Sequence, residues 1–366
     1  ANNNVAVGYQ AMLDNTTGAA NIAIGREALA NNTTANNNTA VGYAALLTNT
    51  TGASNVAIGR DALLSNTTAS FNTAVGTEAL ETNTTGADNT AVGSGALKDS
   101  NTASNNTAVG KNSLFDTTTG SDNTAVGRIA MQLNTTGSDN VAIGSQALAK
   151  NTTADDNVAI GKSALLENQT GEDNVAVGHL ALQNNTANGN TGIGSLSLNA
   201  NTTGTDNTGV GYFSLNSTTS GSSNTALGRS ALSNNETGAN NVGLGRGALF
   251  TNTTGSANTA IGRNSLLVNT TGGNNTGVGY ESLEAVSTGS ANTALGRDAG
   301  DNTTTGSNNT SLGYQAQPTG STASNEVTLG NSNVSALRCA DTSIATLSDE
   351  RDKINIIDLP VGLDFI

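Results

Sequence analysis

Tryptophan is absent from this 366-residue chain, proline occurs only at Pro318 and Pro360, and Cys339 is the one cysteine. A lone cysteine excludes an intrachain disulfide and a cysteine metal cluster. Aromatic residues make up 3% of the chain and charged residues 11%, too little for the cores and surfaces of the two or three ordinary domains its length would allow. Apolar residues never run to the roughly eighteen needed for a bilayer-spanning helix. Basic residues are scarce as well: 14 Lys and Arg stand against 28 Asp and Glu, for a net charge of −14. That charge repels nucleic acid and anionic membrane surfaces at long range, so neither is expected as a partner. The first residues, Ala1-Asn2-Asn3-Asn4, lie inside a repeat, as expected of a fragment of a longer protein.

What is present is a glycine every seventeen residues, from Gly8 to Gly178 and, after one step of sixteen, from Gly194 to Gly330. A fixed period of this kind indicates a solenoid or fibre. Around the marker glycine the unit reads N-[TV]-A-[VI]-G-[RY]-x-A-L-x-x-N-T-T-G-x-x. The residue before the glycine is Val, Ile or Leu in all twenty turns, and the residue three before it is Val, Ile or Thr. β-Branched residues suit a pleated strand, and the two positions share one of its faces. The expectation is that this aliphatic face points inward. The small residue between them, as in Ala6, Ala23 and Gly192, is then expected to face a neighbouring chain or a second wall of the coil. Leu or Met four residues past the glycine, in seventeen turns, supplies a further inward anchor. Asn-Thr-Thr-Gly is turn chemistry, because Asn and Gly tolerate positive φ. A helix is excluded by apolar spacings of two, five and ten residues and by Gly, Asn and Thr in what would be its interior. The fold class expected is all-β, a parallel β-solenoid of 17-residue turns, on the order of 95 Å long at the usual strand spacing. An Asn four before the glycine, in nineteen of twenty turns, is expected to form a ladder between turns. Three apolar anchors per turn make a thin core, so the coil is expected to oligomerise.

Stacking aligns side chains into stripes. The position after the glycine holds Tyr9, Arg26, Tyr43, Arg60, Arg128, His179, Tyr212, Arg229, Arg246, Arg263, Tyr280, Arg297 and Tyr314, with Lys111 and Lys162 in the same column. This is either a ridge that binds a host-surface glycan or receptor, or a column of Arg and Tyr stacked on one another or on a neighbouring subunit. Asp122, Asp139, Asp156 and Asp173 share one column in four successive turns. Their repulsion calls for screening by water and salt, or for a cation such as Ca²⁺, though no calcium-loop consensus accompanies them. No cofactor is indicated. Thr pairs in the turns raise ice binding as a further class, but the rows are interrupted.

The turn N-[TV]-A-[VI]-G-x-x-A resembles the repeat of YadA-type trimeric adhesin heads, over about 330 residues, with a turn some three residues longer. The resemblance implies a left-handed β-roll assembled as a homotrimer. The tail Leu347-Ser348-Asp349-Glu350-Arg351-Asp352-Lys353-Ile354-Asn355-Ile356, continuing to Leu363-Asp364-Phe365-Ile366, resembles the start of the endosialidase-type intramolecular chaperone that ends many phage tail fibres. That resemblance implies self-cleavage between Ser348 and Asp349, with Ser348 as nucleophile and Lys353 as the base. The same residues also suit an ordinary acidic helix start capped by Ser348. The organisation expected is a shaft over 1–317, a transition neck over 318–348 and a truncated chaperone start over 349–366. The function expected is the structural shaft of a phage tail fibre in the virion, partnered by itself and by other tail proteins, and not a turnover enzyme. The alternative is a trimeric adhesin on a bacterial or giant-virus surface.

Overall fold

The computed structural model describes residues 3–336 and residue 338. The chain divides into a coil, Ala1–Asn331, and a short following unit, Ser332–Ile366. The coil is a parallel β-solenoid. Twenty strands of three residues each, from β1 (Val5–Val7) to β20 (Val327–Leu329), form one sheet in which every strand pairs with the next. No helix occurs among the described residues. In the first pair Val5, Ala6 and Val7 oppose Ile22, Ala23 and Ile24, the same positions one turn on. At about 4.8 Å per strand, nineteen spacings give a coil roughly 90 Å long. Hydrogen bonding between turns continues outside the strands, as in Met12 N–H to the Ala28 carbonyl (2.9 Å) and Asp14 N–H to the Ala30 carbonyl (2.9 Å).

The step of sixteen does not disturb the register. Between β11 (Val175–Val177) and β12 (Thr191–Ile193) the turn reads Asn185-Thr186-Ala187, one residue short of Asn-Thr-Thr-Gly. The Asn185 amide donates to a carbonyl two residues on (Ala187, 2.7 Å), where other turns use three, and Val175 still opposes Thr191.

The faces of the strand are the reverse of the expected ones. The central alanines are fully buried, Ala23, Ala40 and Ala57 among them, while Ile24 is 41% and Ile143 40% exposed. Alternation holds, but its phase is shifted by one residue, which moves every side chain to the other face. The reason is the width of the coil. A Cβ placed on Gly192, at the strand centre, would lie 3.1 Å from Cγ of Leu182, and one on Gly243 would lie 3.2 Å from Cγ of Leu232. The opposite wall is the leucine of the preceding turn, which is buried as expected (Leu29, Leu46 and Leu63 at 0%). A methyl group fills the remaining gap; a branched aliphatic side chain would not fit.

The turns are tight because left-handed residues recur in them. In most turns the residues five before, two after and four after the marker glycine all have positive φ, for example Asn37 (63°), Ala44 (52°) and Leu46 (54°). The core leucine itself is left-handed, a conformation worth of order 1 kcal/mol of strain for a non-glycine residue. The marker glycine is needed for two reasons. Gly110 has φ +135°, and a Cβ there would sit 2.5 Å from the carbonyl oxygen of Gly127 in the next turn.

Two amide ladders line the interior. In the first, the expected one, Asn38 N–H donates to Oδ1 of Asn21 (2.9 Å), and the Asn38 amide donates to the Gly52 carbonyl (2.9 Å). The Asn of Asn-Thr-Thr-Gly forms the second, linked amide to amide: Asn49 to Asn32 (3.0 Å), Asn66 to Asn49 (2.9 Å) and Asn83 to Asn66 (3.0 Å). Both ladders meet at one carbonyl, since Asn49 also donates to Gly52 (2.9 Å). The second ladder breaks where Asn is replaced, and also between Asn151 and Asn168, whose amide turns wholly to Gly171. Asn83 precedes Ser100 and Thr117 in this column, and Asn83 Oδ1, Ser100 Oγ and Thr117 Oγ1 are buried with no hydrogen-bond partner. Replacing both residues with Asn (Ser100→Asn with Thr117→Asn) joins Asn83 to Asn134. The double variant is expected to be more stable by about 1–2 kcal/mol in urea unfolding. A double variant no more stable than the parent contradicts this account of the column.

Candidate functional site

The column after the marker glycine leaves the sheet just where the backbone turns, so its side chains project from the coil. Arg26, Arg60, Arg128, His179, Arg229, Arg246, Arg263 and Arg297 are exposed, as are Tyr9, Tyr43, Tyr212, Tyr280 and Tyr314. Stacking one turn apart brings guanidinium groups onto rings. Arg26 lies over both Tyr9 (5.7 Å) and Tyr43 (5.8 Å), Arg229 over Tyr212 (5.8 Å), and Arg263 over Tyr280 (5.5 Å). Arg297 is held between Tyr280 (5.4 Å) and Tyr314 (5.8 Å). The next residue along often ties the cation: Arg26 pairs with Glu27 (3.1 Å), Arg60 with Asp61 (2.9 Å) and Arg297 with Asp298 (3.3 Å).

One cluster bridges four turns. Glu78 accepts from Lys98 (2.8 Å) and from Arg60, and Lys98 also pairs with Glu81 (3.3 Å) and lies over the Phe115 ring (5.7 Å). The Lys98 hydrogen bond, then that of Arg60, holds the Glu78 carboxyl below its ordinary range, while its bond to Glu78 raises Lys98.

Asp122, Asp139, Asp156 and Asp173 are exposed and left-handed, with φ of 57–59°. Asn3, Asn37 and Asn105 occupy the same column with the same backbone. The row therefore has a conformational cause, since Asp and Asn are the side chains that best tolerate this region. Among the described residues no three His, Cys, Asp or Glu side chains converge as metal ligands. Ser348, Asp349 and Lys353 lie outside the described residues.

The stripe also contains a cavity that the reading of single columns missed. It measures about 220 Å³ and is lined by Arg229, Ser230, Arg246, Gly247, Phe250, Asn264 and Leu267. Three columns meet there: those one, two and five residues past the glycine. Phe250 and Leu267 belong to the last, which varies too much along the chain to stand out. The signal was the coincidence of a cation, a glycine and an aromatic within five residues, Arg246-Gly247-Ala248-Leu249-Phe250.

No protein-family model, curated protein or solved structure matches the chain. Its chemistry is therefore read from the side chains alone.

The Arg60–Glu78–Lys98 cluster gives a titration with a defined sign. Because the folded pKa of Glu78 is depressed, its stabilising contribution is present above the unfolded carboxylate value. It is lost as pH falls through the folded one. Lys98→Met is expected to move the Glu78 midpoint up, toward the ordinary range, in a carboxyl ¹³C NMR titration. An unmoved midpoint would show that Lys98 does not hold Glu78.

Proposed function

We propose that the coil is the shaft of a fibrous attachment protein on a virion, a homotrimer that supplies reach, stiffness and presentation of a host-binding end. The observation that supports this reading is the aliphatic ladder left uncovered along the coil. Ile24, Ile58, Ile143, Ile160, Ile193, Leu227, Leu244, Ile261 and Leu295 all stand exposed in the column before the marker glycine. In a single chain they form a continuous apolar line from one end of the coil to the other. Exposed apolar surface of that extent is typical of interaction sites, and its burial contributes about 25 cal/mol per Å². A line that repeats with every turn is matched by the same line on another copy, turn for turn. Three copies with their ladders turned inward would cover it. The trimer and the left-handed sense of the coil also follow from the adhesin-head resemblance.

This function is mechanical. Turnover chemistry has no part in it. The one covalent step in the reading is a single self-cleavage at Ser348–Asp349, with the roles of Ser348 and Lys353 as the chaperone resemblance implies: the Ser348 hydroxyl attacks its own carbonyl carbon, Lys353 passes its proton to the departing amine of Asp349, and water hydrolyses the ester left on Ser348. Such a step would suit the repeat. Identical turns offer many wrong registers between chains. A template that aligns the chains and then departs leaves a kinetically trapped fibre.

The mature protein is expected to be a trimer in multi-angle light scattering at micromolar concentration. Charging the ladder with Ile143→Asp and Ile160→Asp is expected to shift it toward monomer without unfolding the coil. A monomeric parent, or a trimer indifferent to both aspartates, contradicts the reading.

A further inference from the structure

We infer that Arg229, Arg246 and Phe250 form a binding site for an acidic sugar residue, its carboxylate held between the two guanidinium groups and the apolar face of its ring on Phe250. The first observation is an imbalance of charge. Arg229, Arg246 and Arg263 are the only three arginines in successive turns of the stripe, and each is followed by a neutral residue: Ser230, Gly247 and Asn264. Elsewhere Glu27, Asp61 and Asp298 take the neighbouring arginine. Among the described residues neither Arg229 nor Arg246 has an ion-pair partner. Two unneutralised guanidinium groups one turn apart, in a chain of net charge −14, form a local anion-binding surface.

The second observation is the space beside them. At Gly247 the missing side chain opens the cavity of about 220 Å³, and Phe250 and Leu267 give it an apolar lining. A Cβ on Gly247 would reach 2.9 Å from Oδ1 of Asn264 and 3.6 Å from Leu267, so a longer side chain would occupy the cavity. The third is orientation. Arg229 is stacked on Tyr212, itself in contact with Phe213 (4.6 Å between centroids), so one arm of the site is fixed before a ligand arrives.

These features select the ligand. A planar carboxylate takes paired N–H donors from guanidinium groups. A ring bearing that carboxylate, with C–H groups on one face and hydroxyls at its edge, fits an aromatic wall beside Ser230 and Asn264. The cavity has room for about one pyranose. A nucleic acid is disfavoured by the acidity of the rest of the chain. The biological use of this site rests on the attachment role proposed above. The pocket itself is complete within one chain, so sugar binding is read separately from oligomeric state.

The test is isothermal titration calorimetry of the full chain with galacturonate oligomers, with neutral dextran oligomers as control. Saturable binding of the galacturonates and none of dextran is expected. Gly247→Leu fills the cavity without changing charge, and Leu180 and Leu196 already occupy that column at φ 58° and 60°. Phe250→Gln removes the ring, and Gln132 and Gln183 already occupy that column. Each variant is expected to weaken binding roughly tenfold or more, with the melting curve preserved. Absence of galacturonate binding overturns the proposal. So does binding that Arg246→Gln lowers while Gly247→Leu and Phe250→Gln leave it unchanged, since that is charge attraction without a site.

Discussion

The contact on which the rest of the coil depends is the stacking of one marker glycine on the next. With a Cβ at Gly110 only 2.5 Å from the Gly127 carbonyl oxygen, no other residue allows the turns to approach this closely. The close approach recurs along the coil, with a Cβ at Gly228 falling 2.7 Å from the Gly245 carbonyl carbon. Close stacking fixes the spacing at which the strands pair, the amides of the two Asn ladders reach their partners, and the Thr33 hydroxyl reaches the Thr50 carbonyl (3.1 Å). A hydrogen bond in water contributes about 1 kcal/mol net, and a buried unpaired partner costs more than that. Repetition of several such bonds per turn is what offsets left-handed leucines and a core with little apolar volume. Each turn depends mainly on its neighbours, as in other repeat architectures.

The same tight turns make the interior narrow, and the narrowness decides where the aliphatic residues go. Leucine from one wall and alanine from the other fill the coil. Valine and isoleucine, whose β-branched side chains suit a pleated surface, are left outside. A coil of this cross-section keeps its strands only by exposing apolar surface, and exposing it in every turn favours lateral association. The coil's narrow cross-section and its exposed apolar ladder are thus two consequences of one packing limit.

Much of this was legible in the sequence. The period, the strand before each glycine, the buried leucine and the Asn-Thr-Thr-Gly turn all rest on local preferences that composition and spacing express directly. The phase of the strand was not legible. Alternation separates Ala23 from Ile22 and Ile24 without saying which face is inward. The answer depends on how near the core side chain of the preceding turn stands, as Leu182 does to Gly192, a distance set by positive φ at residues that do not advertise it. The second amide ladder was hidden for a related reason: Asn49 and Asn66 are adequate turn residues, so nothing demanded a further role. The cavity at Gly247 needed three columns to be laid side by side, which a linear reading does not do.

The central claim is that alanine faces in and the β-branched residues face out. Thiol labelling tests it most directly. In a Cys339→Ser background, Ile143→Cys and Ala142→Cys place a thiol on opposite faces of the same strand. The account predicts that the thiol at 143 reacts readily in dissociated rods and is shielded on assembly, while the thiol at 142 stays silent until the coil unfolds. Rapid labelling at 142 with silence at 143 in dissociated rods would contradict it.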